Sequence, residues 1–268
     1  MSPIVVPRRR FGGLYAGNVR AVIERGLRAT KSSNKWVVLS GFFEPVFYLL
    51  SLGIGLGSII GSVQINGVDV SYGAYIAPAL LAVSAMNGAI YDSTWNVFFK
   101  LNYGKIYQTM LTTSLGPVDV ALGEISLALL RGAVYAMGFL VVMQVMGLVL
   151  SPLAILAIPA VILIAAGFAS IGMAITSFMK TFQQMDWINL FLLPMFLFSA
   201  TFYPITVYAA PIQGIVQALP LWHAVELIRG LTTGVFGWEI LGHIAYFVVM
   251  FAIGIVFTSR RLRALFLG

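Results

Sequence analysis

Six long apolar runs alternate with short polar breaks along this chain, at 37–61, 73–98, 118–149, 153–179, 187–209 and 239–258. A helix rising 1.5 Å per residue needs about 20 apolar residues to cross a bilayer, so each run predicts a spanning helix. Between the fifth and sixth runs lies "APIQGIVQALPLWHAVELIRGLTTGVFG", apolar but interrupted by Pro and Gly. About 210–236 therefore predicts one or two re-entrant or interfacial half-helices, sheltered by protein wherever their backbone is not helical. The fold class is all-α, polytopic.

Two polar stretches have helical period of their own. In the N-terminal segment, 1–36, Leu14, Val19, Val22, Ile23 and Leu27 can share one side, with Arg20, Arg25 and Arg28 around the other. That pattern predicts an amphipathic helix on an anionic membrane surface. No apolar run with a small-residue cleavage site follows the basic residues directly, so a cleavable signal is not expected. The second stretch is "FFKLNYGKIYQTMLTTSLGPVDVALGE", between runs two and three. Phe99, Tyr103, Ile106 and Met110 fall on one face, and Lys100, Gly104 and Gln108 on another, which predicts an amphipathic helix over about 99–113. Pro117 then suits the first turn of the third run, where its missing N–H is not needed.

Composition agrees with a bilayer as solvent. The 268 residues are 60% hydrophobic and 9% charged, against about 25% charged in a soluble domain. The excess of positive charge, +7, is informative by position, and nucleic acid is not an expected partner. Eight Lys and Arg precede the first run; Lys100 and Lys105, Lys180, and Arg260, Arg261 and Arg263 fall in alternate breaks and at the end. The remaining breaks carry only Arg229. The positive-inside rule then places both termini in the cytoplasm, with 37–268 forming one membrane domain.

Candidate chemistry is sparse. "GIGLGSIIG" lacks the strand and following helix of a dinucleotide loop; Gly53, Gly57 and Gly61 recur every fourth residue, a spacing that lets helices approach closely in lipid. No G-x-x-x-x-G-K-[ST] loop occurs, so ATP dependence would come from a partner. His223 and His243 have no metal-ligand spacing, cysteine is absent, and no catalytic triad order is present, so neither a metal site nor an enzyme is expected. The ionisable residues inside the runs stand out, because such groups pair or line polar paths. Glu44, Asp92 and Glu124 each lie seven or eight residues from a cytoplasmic end, and Arg131 lies two turns beyond Glu124. This carboxylate tier has two readings. Arg131 is neutralised by a neighbouring helix, or the group contacts a polar part of a substrate; an ion-coupled transporter or channel using the carboxylates is the alternative function.

"FLLPMFLFSATFYPI" followed by "LPLWHAVELIRG" resembles the C-terminal signature of type-2 ABC exporter permeases, with Pro220, Leu221, Trp222, His223 and Arg229 fitting position by position. "EPVFYLLSLGIGLG", "YIAPALLAVSAM" and "YGKIYQTMLTTSLGPVDVALGE" are most similar to the nodulation lipo-oligosaccharide exporter permeases and the daunorubicin-resistance permeases. The resemblance implies the membrane subunit of an ATP-driven exporter of an amphiphile: a lipo-oligosaccharide, a lipid-linked glycan or a hydrophobic drug. It implies a bacterial inner-membrane location and a dimer, either of this chain or with a paralogue. It also implies a cytosolic ABC ATPase partner that holds the ATP and magnesium. The helix at 99–113 becomes the coupling helix, with Phe99, Tyr103, Lys105, Ile106, Tyr107 and Gln108 as ATPase contacts. His223, Glu226 and Arg229 fall in the outer re-entrant region, with structural or gating roles, and Glu226 can pair with Arg229.

Overall fold

The structure, a computed structural model, describes residues 16–31, 43–65, 67–235 and 237–266. Leu14, the first basic cluster and the beginning of the first run lie outside the described residues. Helix α1, Val19–Lys31, is amphipathic as its pattern predicts: Val22 is buried while Arg20, Arg25 and Arg28 are exposed. The spanning helices are α2 (Phe43–Ile60), α3 (Tyr72–Tyr103), α5 (Pro117–Val145), α6 (Pro152–Thr176) and α10 (Glu239–Phe266). Between them come α4 (Ile106–Leu111), α7 (Asp186–Phe198), α8 (Ala210–Ala218) and α9 (Pro220–Thr233). Among the described residues five helices, rather than the six expected, are long and apolar enough to cross a membrane.

The missing one is the run at 187–209. Its helix, α7, is 13 residues long, about 20 Å, and passes through Pro194 without ending. The break comes at Ser199 and Ala200, where Ala200 takes a left-handed φ of 54°. A non-glycine residue there costs roughly 1–2 kcal/mol, so the turn is imposed by its surroundings. The Ala200 carbonyl accepts from Arg229 Nη2 at 2.9 Å and from Tyr75 Oη at 3.1 Å. Two buried donors from α9 and α3 thus fix where the run stops being helix.

The polar break after α2 is also more ordered than a plain loop. Gly61, at φ 74°, ends the helix, and Ser62–Ile65 (β1) pairs antiparallel with Val68–Ser71 (β2). The register runs from Ser62 opposite Ser71 to Ile65 opposite Val68. Asn-Gly between alternating residues is a strong hairpin signal.

The packed centre is α3 and α6, against which α5, α9 and α10 close. Close approach occurs where side chains are missing. A Cβ on Gly254 of α10 would lie 2.6 Å from the Ser170 backbone of α6, and one on Gly167 would lie 2.9 Å from a Phe247 ring carbon. A Cβ on Gly123 of α5 would meet Val22 of α1 at 2.5 Å. The repeat at Gly53, Gly57 and Gly61 makes no such contact: its closest neighbour in another helix is Gly73 Cα, 3.8 Å from the position a Cβ on Gly53 would take. The tight crossings expected there lie on α5, α6 and α10 instead, because α2 leans only lightly on the rest of the chain.

Asp119 fastens α1 to the start of α5. Its carboxylate is fully buried and accepts the backbone N–H groups of Ala16, Asn18 and Gly116 at 2.9, 3.0 and 2.8 Å. A carboxylate in the first turn of a helix also meets the positive end of the backbone dipole.

Candidate functional site: a polar cleft and the helix corner beside it

The tier of intramembrane charges resolves into two ion pairs and one lone carboxylate. Arg131 Nη1 of α5 donates to Asp92 Oδ1 of α3 at 2.7 Å. Lys100 Nζ of α3 donates to Glu124 Oε2 of α5 at 2.6 Å. Of the two readings of Arg131, neutralisation by a neighbouring helix is what the geometry contains, and Asp92 is the partner. Lys100 is only partly exposed. Its side chain turns into the protein, because Glu124 is 95% buried and needs a counter-charge there. Glu44 of α2 is exposed and has no ion-pair partner among the described residues.

Glu44, Asp92 and Arg131 all line one cleft of about 430 Å³. Polar groups enter it from four helices: Glu44 and Tyr48 on α2, Ser84, Asn87, Tyr91 and Asp92 on α3, Arg131 and Tyr135 on α5, Asn189 on α7. The rest of the lining is largely apolar, with Leu192, Leu193 and Phe196 on α7 and Leu80 and Val83 on α3. Such a cavity, mostly apolar with a few convergent polar groups, is the usual form of a small-molecule site. Asn87, Tyr135 and Asn189 were not anticipated. The signal for the first was readable: Ser84, Asn87, Gly88 and Tyr91 fall at i, i+3, i+4 and i+7, a polar stripe on an otherwise apolar helix. Tyr135 likewise sits one turn beyond Arg131. Asn189 carries no comparable pattern. Glu124 lines a different region with Lys100 and stays out of the cleft.

The amphipathic helix expected over about 99–113 is two pieces. Phe99–Tyr103 continues α3 with π-helical hydrogen bonding, and the chain breaks at Gly104 and Lys105, where Lys105 has φ 47°. The short α4 follows. Phe99, Tyr103, Lys105 and Gln108 are exposed, and Ile106 is partly so. Tyr107 is fully buried, and Met110 nearly so, which removes Tyr107 from any outward-facing contact set. Its hydroxyl has no hydrogen-bond partner among the described residues, and burial pushes its pKa well above the ordinary tyrosine value, with Glu124 adding to the rise and Arg25 opposing it. The side chain anchors α4 and so helps to fix the direction in which Lys105 and Gln108 point.

The signature residues form a third cluster. Pro220 starts α9 and Leu221 is buried. Arg229, 97% buried, donates to Glu226 at 2.6 Å and lies 4.0 Å from the centre of the Tyr75 ring. Together with its bond to the Ala200 carbonyl, this makes Arg229 a clamp between α9, α3 and the end of α7. His223 Nδ1 and His243 Nδ1 lie 2.8 Å apart, joining α9 to α10, and His223 stacks on Tyr246. The His223 pKa is lowered to about 4, by burial first and by His243 second, while a hydrogen bond to the Gln217 backbone acts in the opposite sense.

An all-α, multi-pass membrane protein with charges paired between helices and a polar cleft among its spans is built like the membrane component of a transporter. The chain matches the ABC-2 type transporter family over residues 17–233, and it belongs to that family. It is similar to Nodulation protein J of Rhizobium leguminosarum bv. viciae, 29% identical over 94% of this chain and 96% of the relative. Nodulation protein J of Sinorhizobium fredii is 30% identical over 78% of this chain and 79% of its own length. That of Rhizobium meliloti is 27% identical over 90% and 93%.

Proposed function

We propose that this chain is the permease subunit of an ATP-driven exporter, working as a dimer with a cytosolic ABC ATPase that binds ATP and magnesium. The cargo is an amphiphile, of the kind a lipo-oligosaccharide, a lipid-linked glycan or a hydrophobic drug represents. Both termini face the cytoplasm of a bacterial inner membrane, and the helices α8 and α9 form the outer re-entrant segment. Membership of the ABC-2 type transporter family carries this reading. The cleft supports it, since a lining that joins polar and apolar side chains suits a molecule with a tail and a headgroup.

Coupling runs through the break between α3 and α4. Phe99 and Tyr103 project from the end of a helix that also supplies Asp92 to the cleft. A push on the exposed residues of this corner is therefore transmitted along one rigid element to the cleft. Asp119 makes the exit of the corner and α1 move together. Such a switch needs ATPase contacts that differ between two states of the permease.

The test uses the chain reconstituted with the ATPase recovered alongside it in mild detergent. Lys105→Glu combined with Tyr103→Ala lowers substrate-stimulated ATP hydrolysis by about tenfold or more, with the melting temperature unchanged. Stimulation equal to that of the parent protein would remove this corner from the coupling path. Tyr107→Ala acts differently, because its side chain is packed inside: it lowers stability by about 3 kcal/mol before it affects coupling.

A further inference from the structure

The charges of the cleft define what its polar groups can hold. Two carboxylates, Glu44 and Asp92, face one guanidinium, Arg131, which leaves a net charge of −1. Arg131 does not offer its charge freely, because Asp92 already takes it at 2.7 Å. Lys100 and Glu124 nearby cancel one another and add nothing. Glu44 is left over, exposed and without an ion-pair partner among the described residues. Asn87, Asn189 and the phenols can both donate and accept hydrogen bonds, so the ionised carboxylates, which only accept, decide which headgroup is favoured.

We infer that the cleft is a headgroup site for hydrogen-bond donors, hydroxyl, amide or ammonium, and that it rejects phosphate. A phosphate entering here would approach two carboxylates, and its natural partner, Arg131, would first have to leave Asp92. A donor-rich headgroup meets Glu44 and the amide carbonyls with nothing to displace, and an ammonium gains the net negative charge as well. The tyrosines at the rim add aromatic surface of the kind that attracts cations and the apolar faces of sugars. The apolar face of α7 takes the first part of the tail. Among amphiphiles, lipids whose glycan is joined through a phosphate or pyrophosphate are then disfavoured, unless the phosphate stays outside the cleft.

This inference rests on the reading of the cleft as part of the transport path, and its test is binding without any ATPase, so the two fail separately. The full chain in phosphatidylcholine nanodiscs is titrated with three probes of equal tail: decyl maltoside, decyltrimethylammonium and decyl phosphate, with empty nanodiscs subtracted. The maltoside or the ammonium binds at least about tenfold more tightly than the phosphate, and which of the two is tighter tells hydroxyl from ammonium as the donor. Glu44→Gln reduces ammonium binding about tenfold and leaves the maltoside nearly unchanged. Asp92→Asn frees Arg131 and raises phosphate affinity by about tenfold. Glu44→Lys does the same from α2, and serves should Asp92→Asn fail to fold. Phosphate binding as tight as the other two in the parent protein overturns the inference, and so does a headgroup preference that Glu44→Gln and Glu44→Lys leave unchanged.

Discussion

Helices α2 and α3 are similar in sequence character and opposite in placement. Both are long apolar runs with one acidic residue and several glycines or alanines, yet 83% of the most apolar stretch of α3 is buried and only 6% of that of α2. The bilayer explains why hydropathy does not separate them. Lipid tails are as apolar as a protein core, so a side chain facing either one has the same composition. What separates them is size and polarity at particular positions. Alanines at 74, 77, 79, 82, 85 and 89 let neighbours close around α3, whereas α2 presents Phe43, Phe47, Ile54 and Ile59 outward. The rigid helix and the loosely held one meet at the cleft, α3 giving Asp92 and α2 giving Glu44.

Substitution at glycine breaks this contrast most directly. Gly254→Leu drives a side chain into the Ser170 backbone of α6 and costs about 3 kcal/mol or more, read as loss of monodisperse protein and a lower melting temperature. Gly55→Leu on α2, where a Cβ meets nothing within 4 Å, changes stability by less than about 0.5 kcal/mol. Equal losses at the two sites would mean that α2 is packed as firmly as the core.

The two ion pairs repeat the contrast on a smaller scale. Lys100→Met leaves Glu124 buried and uncompensated, which costs about 3 kcal/mol, and adding Glu124→Leu recovers most of it. Arg131 is 36% exposed to the cleft, so Arg131→Met costs nearer 1 kcal/mol. A double-mutant cycle on each pair, followed by thermal unfolding in nanodiscs, orders them. A pH dependence follows at His223 on α9. The depressed pKa of His223 means that the unfolded chain takes up a proton first, near pH 6.5, while the folded chain resists until about 4. Stability is therefore full above pH 6.5 and declines as pH falls toward 4, by less than about 2 kcal/mol because water reaches much of the ring. His223→Phe flattens that part of the pH profile.

Several elements were legible before any coordinates. Five of the six predicted spans and the start of α5 at Pro117 follow from hydropathy and from what proline does at a helix start. The amphipathic α1 follows from period, and the pairing of Glu226 with Arg229 from their separation of three. The end of α7 was not legible, because Ser199, Ala200 and Thr201 are not helix breakers by themselves. Its helix stops where Arg229 and Tyr75, distant in sequence, hold the Ala200 carbonyl. The hairpin is legible in its Asn-Gly. The pairing of Lys100 with Glu124 was not legible, because a helical wheel knows nothing of a buried carboxylate on another helix.

The sequence by itself determined that this chain lives in a membrane, roughly where it crosses, and which family it belongs to. Apolar length, charge placement and the local chemistry of proline and glycine act within a few turns of helix. Only the tertiary structure decided which carboxylate pairs with which cation, which glycines touch, and that Glu44 is the acid left without a partner. Those outcomes depend on which helices lie side by side, and the energy that selects a partner comes from groups brought together across 24, 39 or 154 positions of chain.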